Sequence, residues 1–226
     1  MDMPAVITQA ADAVDFSMIR EAADDAAPAI AVIKSTWDKE SLLAILSGHI
    51  AVPDEVINKA LAEHTADSEL VRSVTLTSQE DGRLKVEADT TKIGRLSLTG
   101  TIDAFVHKDG AAYLDYTVKE KSLPDHKMMS WIFSRISLSM AQKFVGKVDL
   151  GDTLPTAIDH NTIHVDFQPL LQDTAFGKVS FMGYNLLDAL VIEKAEPHEG
   201  YIEFTTALNI PEPVKKMLLN LLLTAI

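Results

Sequence analysis

Between Leu70 and Leu123 the chain alternates apolar and polar residues and breaks at turn-forming residues, which commits this stretch to antiparallel hairpins. It reads Val71-Arg72-Ser73-Val74-Thr75-Leu76, turns at Gln79-Glu80-Asp81-Gly82, and resumes as Leu84-Lys85-Val86-Glu87-Ala88-Asp89. A second break at Lys92-Ile93-Gly94 leads into Arg95 to Asp103, and Asp109-Gly110 separates that run from Tyr113-Leu114-Asp115-Tyr116-Thr117-Val118. A period of two sends successive side chains to opposite faces, so each strand offers one apolar and one wet face. Asp-Gly between alternating runs suits a two-residue hairpin turn, because both central positions need positive φ.

On either side of the meander the period changes. Residues 1 to 52 read as a helical N-terminal region, with Ala-rich segments around Phe16, Met18, Ile19, Ile30, Val32 and Ile33 and a boundary at Pro28. Asp38 and Ser41 are both candidate caps for the Leu42 to Leu46 helix, which Gly48 ends. Pro53-Asp54-Glu55 opens a further helix, with Val56, Ile57, Ala60 and Leu61 at helical spacing and acidic residues in its first turn. At Pro124 the period moves from 2 to 3.6, which predicts one long helix from Asp125 to about Gly146. That helix is apolar almost all round, so it is either buried on several sides or lines something apolar.

Strands return at Asn161 to Phe167, Leu186 to Glu193 and Tyr201 to Leu208, the last two joined by Glu196-Pro197-His198-Glu199-Gly200. Pro211 and Pro213 precede a terminal helix from Val214 to Ile226. The expected fold is α+β and antiparallel, divided into a helical region 1–52 and a sheet-and-helix domain 53–226.

Charge and composition narrow the partners. The chain has 226 residues and a formal net charge of −13, which argues against a nucleic-acid backbone or a strongly anionic bilayer as the main partner. With no cysteine, thiolate catalysis, zinc-thiolate sites and iron–sulfur clusters are excluded. Met1-Asp2-Met3-Pro4 shows no signal-peptide pattern, and the longest apolar run, Met217 to Ile226, is too short to span a bilayer. Cellular location stays open.

Little in the chain spells out chemistry. The seven histidines include no His-Glu-x-x-His helix motif. The densest group, His160, His164 and Asp166, falls on one face of a strand opposite Ile163, Val165 and Phe167. Imidazoles four residues apart on a strand are roughly 13 Å apart, too far to share a metal. A solvated polar face is the plainer reading. No Gly-x-Ser-x-Gly elbow, dinucleotide fingerprint or phosphate loop occurs, so neither cofactor nor metal is expected. Lys215-Lys216 beside the Leu-rich tail suits either transient contact with lipid headgroups or packing of that tail into the core.

The helix Pro53 to Leu61, the meander with Gly82-Arg83-Leu84-Lys85-Val86 and Gly94 to Ile102, and the later Leu154-Pro155, Val165-Asp166-Phe167 and Glu199-Gly200-Tyr201-Ile202 together resemble the bacterial tubular lipid-binding (TULIP-like) proteins. The resemblance covers about residues 53 to 210. It implies a bent antiparallel sheet wrapped around a long apolar helix, with a groove between them that holds acyl chains. Helical spacing sets Met129, Ile132, Phe133, Ile136 and Met140 along one stripe, and with Met128 these are the expected ligand-binding residues. Methionine, leucine and isoleucine with few polar groups suit a flexible alkyl chain. Three functions compete. One is a non-enzymatic carrier of lipid or another hydrophobic ligand. Another is a scaffold docking a protein partner through its N-terminal region or Leu-rich tail. The third is a hydrolase using one of the scattered histidines.

Overall fold

The computed structural model describes residues 39–66, 68–69, 71–145, 155–172 and 174–224. It is an α+β fold in which every strand pairing among the described residues is antiparallel. Helix α1 (Lys39–Ser47) ends at Gly48, whose φ of 96° turns the chain into β1 (His49–Pro53). Strand β1 pairs with β11 (Tyr201–Leu208), so His49 to Val52 belong to the sheet, across the boundary drawn from sequence at residue 52. The helical reading of residues 1–38 lies outside the described residues.

Helix α2 (Asp54–Thr65) begins where Pro53 and the acidic first turn placed it. It then guards an edge of the sheet. Asp54 accepts hydrogen bonds from the backbone N–H (2.7 Å) and hydroxyl (2.6 Å) of Ser78 in β2 (Val71–Ser78). One turn on, the Asn58 amide donates to the Leu76 carbonyl (2.9 Å) and accepts from the Leu76 N–H (2.7 Å). Two side chains at i and i+4 thereby occupy backbone groups that an edge strand would otherwise leave open.

The meander folds as read: β2, β3 (Leu84–Thr90), β4 (Gly94–Lys108) and β5 (Ala111–Ser122) pair in succession. Asp109 and Gly110 take φ of 53° and 77° between paired Lys108 and Ala111, a tight two-residue turn. Beyond β5, the sheet continues through β7 (Thr162–Asp166) to β6 (Thr156–Asp159).

On its other edge β4 meets two strands. Strand β3 pairs along Gly94–Gly100, and β10 (Leu190–His198) joins only at Ile192 opposite His107. The sheet therefore forks, with β2–β3 on one branch and β10–β11–β1 on the other.

Two elements differ from the sequence reading. Leu186 to Ala189 form a short helix, α6, because Asn185 accepts from the Leu187 and Asp188 N–H groups as its N-cap; β10 therefore starts at Leu190 and runs through Pro197, leaving Glu199-Gly200 as the turn. In place of one long helix from Asp125 there are two short ones, α3 (Lys127–Phe133) and α4 (Leu138–Val145). The remaining helices are α5 (Gln168–Gln172) and α7 (Glu212–Thr224), with a small hairpin of β8 (Ser180–Phe181) and β9 (Tyr184–Asn185) before α6. No helix among the described residues is long and apolar enough to cross a membrane.

The core lies on one face of the sheet. Leu84, Leu98, Tyr116, Val118, Ala195 and Ile202 meet Phe133, Leu138 and Ala141 from α3 and α4 there. Tyr116 is 4% exposed and donates its hydroxyl to the Leu84 carbonyl at 2.6 Å, and burial holds its phenol far above the ordinary tyrosine range.

Candidate functional site

Strand β5 ends in a tightly held corner. Leu123 is almost fully buried, and its N–H donates to the Ser130 hydroxyl at 2.9 Å. Asp125 accepts from the Arg95 backbone N–H (3.1 Å) and guanidinium (2.6 Å from Nη2). Those bonds hold the Asp125 carboxyl below the usual carboxylate range and raise the Arg95 guanidinium above its own. Helix α3 is launched from this corner in a fixed direction.

After seven residues the helical ladder stops. The Ser134 hydroxyl donates to the Trp131 carbonyl (3.0 Å), and the Ser137 hydroxyl accepts from the Met140 N–H (3.2 Å), capping α4. The turn at Asn161 reaches across, its side-chain oxygen taking the Leu138 N–H at 3.0 Å, while the His160 carbonyl takes the Ser139 N–H at 3.0 Å. The apolar periodicity ran through this point unbroken. Ser134 and Ser137 supply the caps that split the helix.

The two helices place the six expected ligand residues unequally. Phe133 is buried in the core, and Ile136 is partly buried against it. Met128 is 81% exposed, and Met129, Ile132 and Met140 are each about half exposed. Trp131, absent from the expected set, is 61% exposed with the Arg135 guanidinium 4.0 Å from its ring centroid. One short segment thus inserts a few side chains into the core and presents large apolar ones outward. The sequence held one signal of this surface that the apolar pattern hid: from His126 to Val145 there is no Asp or Glu, although the chain has 33.

Two clefts lie elsewhere. At the fork between β4 and β10, a cleft of about 340 Å³ is lined by Glu80, Asp103, Phe105, Glu193, Glu196 and His198, among others. Two of its carboxylates are engaged: Glu196 pairs with Lys194 at 2.6 Å, and Asp103 accepts from Thr117 (2.5 Å) and Thr101 (2.7 Å). These bonds hold the Glu196 and Asp103 carboxyls below their usual ranges. The second cleft, about 670 Å³, runs from Gly183 to Pro211 between the β8–β9 hairpin and the end of β11. Neither includes any of the six expected ligand residues.

The histidines stay apart. His164 faces outward on β7, as its alternation with Ile163 and Val165 requires, and its Nδ1 lies 2.6 Å from Asp115 of β5. His160 sits in the turn at φ 51° beside Asp159, and His107 is buried with Nδ1 2.6 Å from the Leu190 carbonyl. His49 pairs with Glu203, and His198 stacks on Tyr201. Among the described residues no three His, Asp or Glu side chains converge to hold a metal ion. Comparison with protein-family models, curated proteins and solved structures finds no match for this chain.

Proposed function

We propose that this protein binds lipid or another hydrophobic ligand without catalysis, and that the ligand lies where α3 and α4 meet the apolar sheet face, in the manner of the TULIP-like proteins that the chain resembles. In this reading the forked sheet bends around the two-helix segment, which takes the place of the single long helix of that family. The observation that carries it is the continuity of apolar surface through this segment. Phe133, Leu138 and Ala141 sit in the core, Ile136 is partly buried against it, and Met128, Met129, Ile132 and Met140 reach solvent. Packed against the same core, the sheet residues Val86, Leu96, Ile102, Phe105, Leu114 and Phe204 are only partly buried. Flexible thioethers beside incompletely covered strands suit the changing outline of an alkyl chain better than that of a rigid polar substrate.

Titration with a fluorescent fatty acid, paired with thermal melts, tests the reading on wild type and Ile136→Trp. Saturable binding by wild type that the substitution abolishes, with little change in melting temperature, is the expected result. A position already filled would instead overpack, at a cost of about 1–3 kcal/mol, with no binding to lose. Absence of binding by wild type sinks the carrier reading.

A further inference from the structure

We propose that the face formed by Met128, Met129, Trp131, Ile132 and Met140 docks on an anionic lipid bilayer, with Lys127 and Arg135 meeting the headgroups. This rests on the lipid-binding reading and adds the surface at which ligand would be exchanged.

The exposure of these side chains belongs to a well-fixed element. Phe133, Leu138 and Ala141 anchor the two helices in the core, and Asp125, Ser130, Ser137 and Asn161 tie their ends by hydrogen bonds. With those anchors inward, the opposite side of the same short helices must face out. It carries three methionines, a tryptophan and an isoleucine, where a water-facing helix carries charged and polar residues.

Charge selects the occupant. The whole chain is strongly acidic, yet the segment His126 to Val145 contains Lys127, Arg135 and Lys143 and no carboxylate. At physiological salt a charge is screened over about 8 Å, so an approaching surface meets the local sign of the patch more than the net charge of the molecule. The flanking carboxylates are engaged: Asp125 with Arg95, and Asp159 with His160. Among the described residues neither Lys127 nor Arg135 is paired with a carboxylate, and Arg135 lies over Trp131. An indole beside a guanidinium, next to flexible apolar side chains, fits an interface that is oily below and negative above. Within the segment His126 to Val145 the fixed charges are all cationic, which matches an anionic bilayer better than a basic protein surface.

The full chain is tested with phosphatidylcholine vesicles, with and without phosphatidylglycerol. Tryptophan occurs twice, so Trp37→Phe leaves Trp131 as the sole reporter. Expected are co-sedimentation about ten-fold stronger on the anionic vesicles and a blue shift of Trp131 emission on binding. Lys127→Glu with Arg135→Glu should abolish that preference. In the native Trp37 chain, Met128→Ser with Trp131→Ser should weaken binding to both vesicle types at least about ten-fold, with circular dichroism and melting temperature retained.

Saturable fatty-acid binding in buffer without any vesicle binding overturns the docking surface and leaves the carrier reading standing. Vesicle binding without fatty-acid binding does the reverse. A dimer in sedimentation velocity that dissociates in the Met128/Trp131 variant, with no effect of these residues on vesicles, overturns it in favour of a second copy of the chain.

Discussion

At Gly100 the backbones of β4 and β5 approach so closely that a Cβ built there would lie 2.1 Å from the Thr117 carbonyl oxygen. The obstruction is backbone on a paired strand, at a register shift between Thr99 and Gly100, and it cannot swing aside as a side chain would. Gly100→Ala is therefore expected to destabilise at or beyond the upper end of the usual overpacking range, about 3 kcal/mol, in urea unfolding. A change below about 1 kcal/mol would show that β5 shifts freely. In the sequence the glycine lies inside the alternating stretch, with no turn residues around it to single it out. Its necessity comes from a strand eighteen positions away, which no local pattern reports.

The break between α3 and α4 shows how an element is decided by its ends. Apolar spacing from Met128 to Val145 satisfies one long helix, but Ser134, Ser137 and the distant Asn161 offer the backbone competing partners, and two short helices result. The Arg95–Asp125 bond sets the entry to α3 and gives a pH prediction. Asp125 has a depressed carboxyl in the folded protein, so its contribution is present above the unfolded pKa, near pH 4, and is lost as pH falls through the folded value. Wild type should exceed Asp125→Asn in stability at neutral pH, and the gap should close in strong acid. Denaturation curves at several pH values measure it, and a gap that widens in acid would contradict the assignment.

For the molecule as a whole, β4 is the common strand of both branches, and its residues Ser97 to Gly100 are paired on both edges by β3 and β5. Its amides and those of central β5 should exchange with solvent only on global opening, whereas α3 should exchange through local fraying. Hydrogen-exchange mass spectrometry is expected to find slow peptides around residues 96–106 and 112–118 and fast ones around 127–135. Equal protection across these regions would mean that α3 is as cooperative as the sheet.

Sequence alone determined the antiparallel α+β class, the β2 to β5 meander and the Asp109-Gly110 turn, because alternation and positive-φ turns are properties of neighbouring residues. It also identified the segment from Met128 to Met140 as unusually apolar. Tertiary structure decided what that apolarity faces. Only one side of each short helix reaches the core, so Phe133 was drawn in while Met128 and Trp131 were left out. The fork at β4 and the strand assignment of His49 to Pro53 were likewise settled by partners distant in the chain. Their hydrogen bonds form only once the sheet has closed, so the residues on either side could not encode them as a local pattern.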